Sequence, residues 1–297
     1  MVKRKPKTNK AKRDITAGYY VVAFVDLLGQ QGHLRNLKGL PDKSEPAEMQ
    51  EFIKALKNTY GVVTGMRKSF SEFFTGFAKE NPWAAKLRPD QRKLYNQLTS
   101  EPIQFQKFSD SAVVYLPLRT NRFKVPCSGI FGVLGATAST LIFSLAGGHP
   151  VRGGIDLGVG LEISRGEFYG SALARAHTLE SKVASYPRVV VGQELVSYLT
   201  HTAQQNPIDI YGQANKDAAK ICLDLLAIDE DGCVFIDFLG AGCKEHMTTA
   251  LPPEIVQVCY GFVCNELTTH EHRKDDKLIR RYKMLKSYIE SRLSLWQ

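Results

Sequence analysis

No stretch limits the possible folds more than Val151–Gly192, which carries strand, turn and helix signals in a fixed order. Val151 to Ile155 alternates apolar with small or polar residues, the period of a strand. Gly158 and Gly160 predict a break, Leu161-Glu162-Ile163 a second strand, and Arg165-Gly166 a further turn. Leu173, Ala176, Leu179 and Val183 then recur at helical spacing. Tyr186-Pro187 stops that helix, and Val189-Val190-Val191 starts another strand. Strand, hairpin, helix, strand is an order that belongs to the mixed α/β class.

Two carboxylates stand at strand ends. Tyr19 to Asp26 reads as a central strand closed by an acid, and Leu27-Leu28-Gly29-Gln30 reads as the turn after it. Such an acid can hold a hard cation, while amide hydrogens of the turn face phosphate oxygens. Gln104 to Tyr115 reads as two strands with Asp110 at their turn. Aspartate is common in turns, so Asp26 and Asp110 carry more weight together than either does alone.

These residues resemble the class III nucleotide cyclases, the adenylate and guanylate cyclase family. That family has a strand R-x-G-I-x-x-G, a hairpin, an acid before an aromatic-Gly pair, and a helix ending near L-E-S. Arg152, Gly154, Ile155, Gly158, Glu167, Tyr169, Gly170, Leu179, Glu180 and Ser181 fall in that order. Phe24 to Gly29 is similar to the family's first strand, F-x-D-[IL]-x-G, and Gln104 to Tyr115 to its second metal hairpin, K-x-x-G-D-x-x-[ML], with Asp110 at the acid and Ser109 where glycine is usual. The resemblance implies an α+β catalytic domain of ferredoxin-like type, with a mixed, mainly antiparallel sheet flanked by helices. It implies intramolecular phosphoryl transfer, in which the ribose 3′-hydroxyl of a nucleoside triphosphate attacks the α-phosphorus and pyrophosphate leaves. Two Mg²⁺ or Mn²⁺ ions would be held by Asp26, the Leu27 carbonyl and Asp110, and oxygen donors suit both metals. Arg152 would pair with triphosphate oxygens in two-point contact. Leu28 and Gly29 would line the phosphates.

The departures from the family pattern also carry information. The purine-reading lysine or glutamate is replaced by Gln106, with Lys107 beside it and Glu167 as the partner acid. The helix asparagine and the transition-state arginine are replaced by Ala174 and Thr178, with Arg175 and His177 nearby. This leaves either a relocated charge contact through Arg175 or His177, or a catalytically inactive relative. Loss of the purine reader, the helical insertion and the lack of a sensor domain resemble the stand-alone pyrimidine cyclases of bacterial anti-phage (Pycsar) signalling. That implies UTP as substrate, CTP second and a purine third, with the cyclic nucleotide acting on a separate effector protein. The family places its site between two subunits, so a homodimer is expected. Lys244 is the one candidate for the family's late lysine, and its context matches poorly.

Charge, cysteines and apolar runs bound the rest. The net charge is +9, but Lys3, Arg4, Lys5, Lys7, Lys10, Lys12 and Arg13 precede the first carboxylate. A disordered basic tail over 1–16 and a nearly neutral cyclase domain over 17–297 are expected. Nucleic-acid binding by the tail is the rival reading. Asp26 interrupts the apolar run after that tail, which argues against a signal peptide. Six cysteines without C-x-x-C spacing predict reduced thiols in a cytoplasmic protein. Ser128 to Gly148 is uncharged and long enough to raise the question of a membrane span. A buried helix between two strands is the expected answer. A helical insertion is expected over 42–101, with an apolar stripe from Met49 to Phe77 read as core or dimer interface. Late strands are expected at Ile221–Leu226 and Cys233–Leu239, and an amphipathic C-terminal helix over 276–296.

Overall fold

A computed structural model describes residues 16–29, 41, 46–79, 88–90, 92–93, 103–107, 111–120, 127–164, 166–247 and 252–297. Its elements are β1 (Thr16–Leu27), α1 (Pro46–Lys79), β2 (Gln104–Lys107), β3 (Ser111–Thr120), α2 (Cys127–Ala146), β4 (Val151–Ser164) and β5 (Glu167–Gly170). Then come α3 (Ser171–Thr178), a π-helical turn (Leu179–Val183), β6 (Val189–Val191), α4 (Gln193–Gln204), α5 (Ile210–Asp224), β7 (Leu226–Ile228) and β8 (Val234–Ile236). The chain closes with α6 (Ala241–Met247), α7 (Glu254–Arg273), α8 (Asp276–Glu290) and a 3-10 turn (Leu293–Trp296).

The 8-stranded sheet runs β2-β3-β1-β4-β6-β8-β7, with β5 added to β4. It is mixed: β4 and β6 are parallel, and the other pairs are antiparallel. β1 is central and covered on both faces, which explains why it reads as an almost unbroken apolar run. Val21, Ala23, Val25 and Leu27 enter the larger core, under α1 and α2. Tyr20, Val22 and Phe24 point the other way, into a smaller core with Val113, Tyr115, Phe168, Ala172 and Ala176. Alternation of side chains along the strand makes that division.

α2 is the uncharged segment. By length and composition alone it could cross a membrane, yet 72% of its most apolar window is buried inside the molecule. It packs on the sheet and against α1, α5 and α7. Its hydroxyls are satisfied within the helix: Thr137 donates to the Val133 carbonyl at 2.7 Å and Thr140 to that of Ala136 at 2.7 Å. Gly132 and Gly135 let α1 approach, because ring atoms of Phe74 and Phe77 lie 2.9 Å from where their Cβ atoms would be. Much of the aromatic stripe on α1 is therefore core: Phe70 and Phe74 are buried there with Val63 and Met66. The amino-terminal part of that stripe is not, since Ile53 and Leu56 are exposed.

Two sequence expectations are corrected, and one helix went unforeseen. Gly158 and Gly160 do not break a strand; β4 is continuous from Val151 to Ser164. Its glycines serve close approach instead. A Cβ on Gly154 would lie 2.3 Å from the Ala176 carbonyl oxygen and 2.5 Å from the Leu179 Cβ, and one on Gly160 2.1 Å from the Phe168 ring. Ile221 to Asp224 is the last turn of α5 rather than strand, and only Leu226–Ile228 pairs with β8. α7, packed beside α8 and α2, had no expectation at all. The Gly154 contact sets a test. Gly154→Ala should destabilise the fold by about 1–3 kcal/mol, the usual cost of overpacking. An unchanged urea midpoint would mean that α3 does not sit on β4 this closely.

All six cysteines are free thiols. Burial, partly offset by a backbone hydrogen bond, pushes the Cys259 thiol up to about 12, so it packs as an apolar group.

Candidate functional site

Asp26 sits at the carboxyl end of the central strand. Its register partners are Ser111 on β3 and Arg152 on β4. Residues directly opposite each other share a face, so Arg152 stands beside Asp26 on the side that α3 covers. Arg152 Nη2 lies 3.9 Å from Asp26 Oδ2, and both side chains keep about a fifth of their surface exposed. The other edge of the guanidinium meets α3, where Nε is 2.6 Å from Glu180 Oε1. This is a close charge contact rather than a directed hydrogen bond. Arg281 of α8 is within electrostatic reach of the same group. Burial and then the charge of Arg152 hold its pKa below the usual guanidinium range, with Asp275 opposing them.

The turn after Asp26 contains Gly29, whose φ of +86° is a conformation that favours glycine. The Leu28 amide donates to the Pro150 carbonyl at 2.9 Å, so it is engaged within the fold rather than turned to a ligand. Of the second hairpin, β2 and β3 are described. Phe108, Ser109, Asp110 and the Lys107 side chain lie outside the described residues. Ser111, which follows Asp110 in the chain, is the residue paired with Asp26. Arg67 of α1 donates to the Ser111 carbonyl at 2.9 Å and tethers that end of β3.

A hard divalent cation asks for carboxylate and carbonyl oxygens. Among the described residues no group of three or more His, Cys, Asp or Glu is gathered for a metal. The Asp26 carboxylate, partly exposed at a strand end, is a donor of that type. Leu27 follows it in β1, and position 110 adjoins its neighbour across the sheet.

α3 carries the other candidate residues. The His177 ring meets Phe24 edge-on at 5.0 Å, near the Asp26 end. Thr178 turns its hydroxyl back to the Ala174 carbonyl at 2.8 Å. Arg175 points elsewhere. It donates to the Leu157 carbonyl at 3.1 Å and lies 3.6 Å from Glu194 at the start of α4. Beside it Asp156 is buried and accepts from the Leu157 and Leu195 amides at 2.8 and 3.0 Å, capping α4 from the sheet. Burial raises the Asp156 pKa, and the two amides and Arg175 partly offset that.

Gln106 meets the β4–β5 hairpin, which carries Glu167 and folds over the small core. The Phe168 amide donates to Gln106 Oε1 at 3.1 Å, and the Gly166 amide to the Tyr115 hydroxyl at 3.2 Å. Tyr115 donates to Glu162 at 3.1 Å, and its ring stacks on Phe168 at 4.6 Å. Glu167 is exposed and accepts from Ser164 at 2.9 Å. Burial, and then the Glu162 charge, push the Tyr20 phenol up to about 12. The Asp26–Arg152–Glu180 cluster with His177 and the Gln106 contact to the hairpin therefore share one sheet face, while Glu167 is exposed beside Ser164. Lys244 joins neither. Its ammonium bonds the Leu295 carbonyl and sits 5.9 Å from the Trp296 ring, fastening the carboxyl terminus.

Glu180 and Arg281 were not among the expected site residues. Glu180 left a signal, because Ala172, Ala176 and Glu180 follow at four-residue spacing on the sheet-facing stripe. A carboxylate on a buried stripe needs a charged partner. Arg281 left none. No protein-family model, curated protein or solved structure matches this chain.

Proposed function

We propose that this protein is a nucleotide cyclase of class III type, converting UTP to 3′,5′-cyclic UMP and pyrophosphate. The observation that carries the reading is Asp26 at the end of the central strand, flanked in register by Arg152 and by the residue after Asp110. The topology supports it. β1-α1-β2-β3-α2-β4 with sheet order β2-β3-β1-β4 is the double split β-α-β arrangement of ferredoxin-like folds.

In the proposed reaction the 3′-oxygen bonds to the α-phosphorus in line with the departing bridge oxygen. The hydroxyl proton is lost to solvent, and the electron pair of the broken bond leaves on pyrophosphate. Asp26, the Leu27 carbonyl and Asp110 would hold Mg²⁺ or Mn²⁺, which lowers the hydroxyl pKa and neutralises the triphosphate. Arg152 holds triphosphate oxygens through its planar fork. Gln106, its oxygen taken by the Phe168 amide, turns amide N–H donors to the base, and Glu167 supplies an acceptor. Uracil meets such a pair with O4 and N3–H. Cytosine meets the same pair with N3 and its amino group and is the second candidate, and a purine needs more room. In a homodimer one protomer supplies Asp26, Asp110 and Arg152, and its partner supplies Glu167 and the Arg175 helix. The product would act on a separate effector protein in bacterial antiviral defence, and the protein would work in the cytoplasm.

One observation favours a second reading, a relative that binds nucleotide without turning it over. Thr178 stands where the family's transition-state arginine is expected, and Arg175 is committed to Leu157 and Glu194. The test is to incubate the protein with Mn²⁺ and each of the four NTPs separately, identify products by mass spectrometry, and size the same sample by light scattering. Cyclic UMP from a particle of twice 33.1 kDa is the expected result. Dominant cyclic AMP or GMP would overturn the pyrimidine assignment, and a fully active monomer the dimer. NTP binding without product from any nucleotide would establish the second reading.

A further inference from the structure

We propose that Glu180 is a positioning residue, orienting the Arg152 guanidinium at the Asp26 end of the sheet so that its Nη edge meets a polyphosphate anion. This deepens the nucleotide reading above and rests on it.

Three observations carry the inference. First, Glu180 is a carboxylate with 4% of its side chain exposed, and Arg152 Nε is 2.6 Å away. A carboxylate so buried is tolerated only beside a compensating charge, which makes the pair mutually obligatory. Second, the backbone holds Glu180 in place. The Glu180 amide nitrogen lies 2.9 Å from where a Gly154 Cβ would be, so α3 and its π turn rest directly on β4. Gly154 and Arg152 are two residues apart on one strand and share a face, which brings the Glu180 carboxylate to Arg152. The π turn, closed by the Ala184 amide on the Leu179 carbonyl at 2.8 Å, is a local irregularity of a kind often found at functional sites. Third, the Glu180 carboxylate covers the Nε side of the guanidinium as a charge partner. Arg152 Nη2 stands 3.9 Å from Asp26, beyond hydrogen-bond range, so Asp26 attracts that edge without taking its donors. The guanidinium is anchored on one side and directed by charge on the other.

The test uses the full chain and inorganic tripolyphosphate as probe, with binding measured by calorimetry for wild type, Glu180→Gln, Arg152→Met and the double variant. Glu180→Gln should weaken binding about 10–100-fold, the usual loss when an orienting partner is removed. On the Arg152→Met background it should add little, since a residue that acts through Arg152 has nothing left to orient. Arg152→Met alone strands a buried carboxylate and could fail to fold, whereas the double variant removes both charges together. Arginine side-chain NMR supplies a second readout. An Nε–H resonance absent from the double variant, which assigns it to Arg152, should change its chemical shift in Glu180→Gln as the adjacent charge is removed. Wild-type failure to bind tripolyphosphate, unchanged binding in Glu180→Gln, an equal further loss on the Arg152→Met background, or an unmoved resonance would each overturn the proposal. Failure of the nucleotide reading looks different. No NTP would be cyclised while the tripolyphosphate cycle still held.

Discussion

Asp26→Ala should abolish formation of cyclic nucleotide while leaving the fold intact. The expected loss is about a thousandfold or more, the scale on which one charge-stabilising group contributes to phosphoryl transfer. The small effect on stability follows from the geometry. Asp26 is partly exposed and 3.9 Å from Arg152, an ion pair worth about 0–1 kcal/mol in such a setting. Arg152 keeps Glu180 after the substitution, so no buried charge is stranded. Asp26→Asn, which keeps the shape and removes the charge, should be nearly as inactive. The measurement is pyrophosphate release with Mn²⁺ and UTP, alongside a circular-dichroism melt. Turnover near wild type in either variant would remove Asp26 from the reaction, and a collapsed melt would make it a structural residue.

Arg188→Met should have the largest effect on stability. The Arg188 side chain is fully buried and bonds Asp229 and Asp231 in the turn between β7 and β8. It also donates to the Val183 carbonyl at 3.2 Å, which ties the end of the π turn to the same network. Tyr186 donates to Asp229 at 2.6 Å, and the guanidinium lies 4.9 Å from its ring. Removing one partner of a buried charge network costs about 3–5 kcal/mol, a fall in melting temperature on the order of 10 °C for a chain of this size. Lysine should not rescue it, because a single ammonium cannot bridge two carboxylates and a carbonyl as the fork does. The network should also leave a pH signature. The hydrogen bond from Arg188 holds the Asp231 pKa down from 3.8 to about 2. A depressed carboxylate contributes stability that is present above its unfolded pKa and lost as pH falls through the folded one. The gap between wild type and variant should therefore narrow between pH 4 and pH 2. Equal melting temperatures at neutral pH would contradict this account. The same variant should weaken the site indirectly, since Val183 ends the π turn that carries Glu180.

Much of this could be read along the chain. Strand period and terminal acid located Asp26, and the run Gln104–Tyr115 was legible as a hairpin now seen as β2 and β3. The helix after Gly170 was marked by its apolar spacing. Uncharged α2 was expected to be a core helix and is packed as one. Other features were not legible. Glycines in β4 read as breaks because a local window cannot distinguish a glycine that bends the chain from one that admits a helix. Ile221 to Asp224 is apolar enough for a strand, and its helical state follows from packing of α5 on α2 and α4.

Local pattern determined most of the elements and the acid at the end of β1 by itself, because the periods of strand and helix and the conformational limits of Gly and Pro act within a few residues. Tertiary structure alone decided which charges meet. Arg152 meets Glu180 because α3 closes onto Gly154, and Arg175 is drawn to Leu157 and Glu194 at the start of α4. Arg188 finds Asp229 and Asp231 across the sheet, and Gln106 finds the Phe168 amide only when the β4–β5 hairpin folds over the small core. Those pairings depend on strand register and on backbone approach between segments distant in the chain, and no period along the sequence encodes either.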